Sequence, residues 1–145
     1  MVTNMNTSQR FAISIHALTL LAASRGALTS ESIAGSVDTN AVVIRRTMAA
    51  LREHGLVESK SGAHGGWKLK RAPGKIHLRE VYQSLGEEDV LSMHSHPNRH
   101  CPIGGTIRGV LDEVFSSAQS ALLDSLNRRT IADVLRDVRA QARSS

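Results

Sequence analysis

Residues 29–69 read TSESIAGSVDTNAVVIRRTMAALREHGLVESKSGAHGGWKL, and the punctuation within this stretch divides it into four elements. Thr29 is an N-cap residue for a short helix from Ser30 to Val37, with Glu31 against the positive end of its dipole. Val37-Asp38-Thr39-Asn40 is a short polar turn. Asn40 then caps a longer helix, roughly Ala41 to His54, closed by Gly55. Leu56-Val57-Glu58-Ser59-Lys60 alternates apolar with polar residues, and Trp67-Lys68-Leu69-Lys70 alternates again. Between them, Ser61 to Gly66 is a glycine-rich tip, so the two runs form a β-hairpin. Two helices around a tight turn, followed by such a hairpin, make the pattern of a winged helix-turn-helix.

Working outward, Thr7 to Ala23 reads as a packing helix with Phe11, Ile15, Leu18 and Ala22 on one stripe, stopped by Gly26. Downstream, Pro73 and Gly74 end the hairpin. A further helix is expected over Ile76 to Leu85, with Leu78, Val81, Tyr82 and Leu85 inward. Gly86 to His100 is polar and histidine-rich, without periodicity. Pro102 stands where a first helical position favours proline, and a long apolar stripe follows from Ile103 to Leu126. Such a helix exceeds what a small domain needs to cover its own core. Its surplus face, Ile107, Val110, Leu111, Val114, Phe115, Ala118 and Leu122, is expected to meet its copy in a second subunit. Thr130 caps a last short helix carrying Ile131, Val134, Leu135 and Val138, and the tail from Ala140 is expected to be loose. The fold class is thus mainly α with a small β-hairpin wing. Residues 1–85 would form the winged helix-turn-helix domain, 86–102 a connecting loop of sensor type, and 103–145 the dimerisation helix and C-terminal helix.

Composition narrows the partner. Apolar residues are 41% of the 145 and aromatics only 3%, so the core must be built from Leu, Ile, Val and Ala. The lone cysteine, Cys101, excludes an internal disulfide framework. The first ten residues are polar and no 18-residue apolar span is present, so neither a secretory leader nor a membrane helix is expected, and the cytoplasm is the expected location. The formal charge is +5, unevenly placed. Asn40 to Glu80 holds nine basic residues against three acids, whereas the remainder holds nine against ten. A polyanion is the simplest partner for that segment.

That partner is expected to be double-stranded DNA. In the Ala41–His54 helix, Ile44, Thr47, Met48 and Leu51 can share the core face, leaving Val42, Arg45, Arg46 and Ala49 outward. An α-helix fits the major groove, and arginine can fork onto guanine or phosphate. Asn40 could bond a phosphate. Lys60, His64 and Lys68 line the hairpin and could touch the backbone or the minor groove, while Trp67 reads as a packing anchor for the wing. The whole arrangement resembles the Rrf-two family of bacterial winged helix-turn-helix regulators. The stretch quoted above carries the resemblance, together with QRFAISIHALTLLA, the HGLVES junction, the GAHGGW tip and CPIGGTIRGVLDEVF, over roughly Ser8 to Asp137. The resemblance implies homodimers that bind imperfect palindromes through the recognition helix and wing, with Asn40, Val42 and Arg45 at DNA-reading positions. Ser61, beside Lys60, stands where the family's iron–sulfur cluster regulator carries a wing arginine, which leaves the operator sequence open.

Cluster-binding members resemble one another in three cysteines before the long helix. With Cys101 alone, this chain is not expected to hold an iron–sulfur cluster, and it resembles a single-cysteine subgroup instead. Cys101 near a helix N-terminus, with His94, His96 and His100 close by, is a candidate redox sensor, because a helix dipole favours thiolate. The same four residues suit zinc or copper by ligand type, although their spacing matches no standard structural motif. No phosphate loop, HExxH helix or cofactor fingerprint is present, so catalysis is not expected. The expected function is therefore a sequence-specific transcriptional regulator, a repressor, acting as a homodimer on a palindromic operator and responding to redox conditions through Cys101. A nonspecific architectural DNA-binding protein and a metal-responsive regulator remain as alternatives.

Overall fold

A computed structural model describes residues 5–86, 91 and 93–144, so part of the 86–102 connection and the extreme termini lie outside the described residues. The elements are α1 (Thr7–Ala23), α2 (Ser30–Val37), α3 (Ala41–Glu53), β1 (Val57–Lys60), β2 (Gly66–Leu69), α4 (Leu78–Gln83), α5 (Ile107–Leu126) and α6 (Ile131–Arg143).

Helix α1 is the hub. Its start is closed by a reciprocal cap: Gln9 N–H donates to Asn6 Oδ1 at 2.8 Å, and Asn6 N–H donates to Gln9 Oε1 at 3.1 Å. Its deepest residues are Ser14, Ala17, Leu18 and Leu21. The expected stripe is therefore rotated: Leu18 is buried, but Phe11, Ile15 and Ala22 are only half-buried against the core. The reason is that α1 is enclosed by several elements. Phe11 meets Tyr82 of α4 edge-on with ring centroids 5.4 Å apart, while Ile15 faces α6. Ser14 tolerates burial because its hydroxyl donates to Arg10 O at 2.9 Å.

Thr29 and Asn40 cap as their residue types dictate. Ser32 N–H donates to Thr29 Oγ1 at 3.1 Å, and Val43 N–H donates to Asn40 Oδ1 at 3.0 Å. Between the helices Asp38 takes a left-handed φ of 64°, a conformation that Asp tolerates better than most side chains. Ile33, Ile44, Met48, Leu51, Leu56 and Ile76 are fully enclosed with Leu18.

The hairpin pairs antiparallel, with Val57 opposite Leu69, Glu58 opposite Lys68, Ser59 opposite Trp67 and Lys60 opposite Gly66. It is fastened to the segment before α2. Trp67 N–H donates to Leu28 O at 2.7 Å, and Leu28 N–H donates to Trp67 O at 3.0 Å. Gly66, with φ of 141°, lies so close to Leu28 that a Cβ would strike its carbonyl oxygen.

Three expectations about the C-terminal half are corrected. The helix expected from Ile76 begins only at Leu78, because the preceding backbone pairs elsewhere. Ile131 N–H donates to Ile76 O, and Leu78 N–H donates to Arg129 O, both at 2.9 Å. The long helix begins at Ile107 rather than Ile103, and Pro102 belongs to a turn. Gly104 and Gly105 are poor helix formers, and a Cβ on Gly104 would strike Asn98 O, so the chain folds back there. Helix α5 has 20 residues, about 30 Å. The expected loose tail is helical to Arg143: α6 opens with a Thr130–Asp133 capping box and packs along α1. Among the described residues no helix is long and apolar enough to cross a membrane.

Gly66→Ala is expected to lower stability by roughly 1–3 kcal/mol. The loss should exceed that of Gly62→Ala, whose φ of 103° is also left-handed but whose surroundings are open. Urea unfolding of both variants checks this, and equal losses would show that the Leu28 contact does not exclude a side chain at Gly66.

Candidate nucleic-acid interface

The face that α3 keeps from the core follows from which residues it buries. Val43, Ile44, Met48 and Leu51 point inward, and Thr47 is half-buried with its hydroxyl bonded back to Val43 O at 2.9 Å. Val42, Arg45 and Arg46 are exposed, as is Asn40 at the helix start. The cap engages Asn40 Oδ1, which leaves its side-chain amide able to donate.

Arg45 is not free. Its guanidinium meets Glu31 of α2 at 3.2 Å, a contact that sequence reading missed because the partners lie on different helices. Both side chains are largely in solvent, so the pair is worth under about 1 kcal/mol and can open toward a stronger anion.

On the wing, Lys60, Ser61, His64 and Lys68 are all exposed. The register sets Lys68 opposite Glu58, an acid on the same hairpin. Gly65 N–H donates to Gly62 O at 3.0 Å, which closes the tip tightly. Trp67 is an anchor, as expected: its indole N–H donates to Ser30 Oγ at 3.0 Å, and Arg52 lies over its ring at 5.5 Å from the centroid. The basic count therefore overstates the charge available to a ligand. Arg71 is paired with Glu80 at 2.8 Å, whereas Arg52 over the neutral Trp67 ring keeps its charge but is held in place. Burial raises the Glu80 carboxyl, but the bonds and charges from Arg71 and His77 outweigh it, so Glu80 titrates below its ordinary value.

Cys101 sits apart from these elements, half-buried in the turn before α5. The backbone N–H groups of Gly104 and Ile103 hold its thiol below the ordinary range, with slight burial opposing them. The effect thus comes from a turn, not from the N-terminus of α5 as expected. His94, His96 and His100 are exposed. Among the described residues no three His, Cys, Asp or Glu side chains converge as a metal-binding group, so the four residues considered as ligands do not gather into one.

Cys101 is the single thiol, so its chemistry can be followed without interference. Its alkylation rate by iodoacetamide is expected to reach half its plateau at a pH below the ordinary thiol value. A midpoint at or above that value would contradict the amide contacts.

Comparison with known proteins places most of the chain. The Rrf2 family, described as iron-dependent transcriptional regulators, matches residues 7–137. The HTH-type transcriptional regulator YwnA of Bacillus subtilis is 37% identical over 129 residues, covering 88% of this chain and 96% of that protein. The structure of IscR from T. potens is similar with a TM-score of 0.70 and 25% identity, over 93% of this chain and 89% of that one. CymR of B. subtilis, at 19% identity and a TM-score of 0.65 over 94% and 98% of the two chains, shares the fold. These relatives are regulators, not enzymes. The iron in the family description would need converging thiolate, imidazole or carboxylate donors, and among the described residues no three such side chains converge, so they do not fit such a centre. From α1 to α6 the sequence and its fold answer to one family: the chain belongs to the Rrf2 family of DNA-binding transcriptional regulators.

Proposed function

We propose that the protein acts as a homodimeric repressor that reads a palindromic operator with α3 and the wing, and that oxidation of Cys101 alters its grip. The observation that carries the dimer is the state of α5. No residue of this helix is buried, and Val110 and Val114 are 60% and 53% exposed. They share the helix with half-buried Ile107, Leu111, Phe115 and Leu122 and with exposed Ala118. Side chains of this kind contribute about 1.5–3 kcal/mol each when fully buried, so an apolar face left in water favours association. A second α5 supplies the same face by symmetry.

Two copies would present two recognition helices to half-sites about one helical turn apart. In each, Asn40 would bond phosphate, while Val42 and Arg45 would reach base edges. Arg45 would exchange Glu31 for guanine, and Arg46, Lys60, Ser61, His64 and Lys68 would hold the backbone on either side. The low-titrating thiol of Cys101 lies in the turn that leads into α5, so its oxidation would act on the helix that joins the subunits.

Arg45→Ala is expected to relax base choice at one position of each half-site, at a cost of about 1–3 kcal/mol, whereas Lys68→Ala should weaken all duplexes alike and flatten the salt slope by about one unit. Affinities measured across a library of duplexes separate these effects, and identical patterns would contradict the assignment. Joint substitution Val110→Glu and Val114→Glu should abolish the dimer in sedimentation while helix content persists. Affinity for a two-half-site duplex should then fall on the order of a hundredfold. Full affinity from a monomer would overturn the dimer.

A further inference from the structure

The turn before α5 closes a second feature that lies outside the DNA-reading elements. Between the 95–100 loop and the start of α5 is a cavity of about 360 Å³, lined among others by His96, Arg99, His100 and Arg108. Among the described residues no carboxylate contributes to its wall. From Met93 to Arg108 the chain carries two arginines and three histidines, with no Asp or Glu. Its floor is backbone packed closely. A Cβ on Gly104 would strike Asn98 O, and one on Gly105 would come within 3.0 Å of Arg99 O, so the glycines hold the turn against the loop.

The two guanidiniums are poorly engaged. Arg108 has one long bond, Nη1 to Ser95 O at 3.4 Å, out of five donors. Arg99 has no side-chain partner among the described residues. Arginine stays charged at any physiological pH and presents a planar fork that suits two oxygens at once. Two such forks line one concave space, and among the described residues no acid lines it with them.

We propose that His96, Arg99, His100 and Arg108 form a binding site for a small tetrahedral oxyanion of the phosphate or sulfate class. Such a group would bond Arg99 from the loop and Arg108 from α5 together, tying the loop to the root of that helix. Phosphate could also arrive as part of a DNA backbone, and the two sources are separable.

The test is calorimetric titration of the full chain with sodium phosphate, at constant ionic strength against chloride. It is repeated on Arg99→Gln, on Arg108→Gln and on Arg128→Gln as a control away from the cavity, with helix content recorded for each. Saturable uptake of one phosphate per chain is expected. Each of the first two substitutions should weaken it about tenfold or more, with Arg128→Gln unchanged. Absence of saturable uptake, or uptake indifferent to Arg99 and Arg108, overturns the site. A loss of duplex affinity in these variants without uptake of free phosphate by the unaltered chain would assign the cavity to DNA, and would equally overturn it.

Discussion

Trp67 and Leu28 exchange two backbone hydrogen bonds, at 2.7 and 3.0 Å, and the placement of the wing against α2 and α3 depends on that exchange. An isolated two-stranded hairpin is marginal in water. Here the hairpin gains a third partner from the segment that leads into α2, so the wing is hydrogen-bonded to the helix pair. Gly66 makes the approach possible because no side chain fits between it and Leu28. The Trp67 indole adds a bond to Ser30 in the first turn of α2, and Arg52 from α3 covers its face. One aromatic residue thereby touches all three parts of the motif. A charged helix and a flexible loop would bind a polyanion in many poses; a fixed angle between them limits the poses and is the physical condition for choosing a sequence.

The second constraint lies in the return of the chain. Ile76 and Thr130 lie far apart in sequence, yet the bond from Ile131 N–H to Ile76 O ties the start of α6 to the segment before α4. Gln119 of α5 also donates to the Tyr82 hydroxyl at 3.4 Å, which orients the long helix over α4. What remains uncovered on α5 is a face rather than a scatter of single residues, and this gives the dimer reading its weight.

Much of this was legible in the residues. Caps at Thr29 and Asn40, glycines at the wing tip and alternation on both sides of it act locally, and local rules decide them. The exposed positions of Arg45, Arg46 and Lys68 followed from helical and strand periods alone. What was not legible depended on contacts distant in sequence. The buried face of α1 shifted because α6 covers its flank, and Ile76 left its helix for a pairing with the chain near Thr130. Pro102 is a good first helical residue, but Gly104 and Gly105, two and three residues later, accept a turn against the loop backbone. At the candidate site, the Arg45–Glu31 contact and the capture of Arg52 by Trp67 each join elements whose spacing no period predicts. The lowered thiol of Cys101 owes its shift to backbone donors of a turn rather than to the helix end expected from the sequence.

The most direct test of the account is competition between duplexes. Fragments of the native chromosome that the purified protein retains would be titrated against random duplex of equal length, at several salt concentrations. A sequence-specific regulator should bind a retained fragment about 10³-fold or more above random sequence at physiological salt, the preference surviving as salt weakens both. Equal affinity for all duplexes at every salt concentration, or none at low ionic strength, would contradict it.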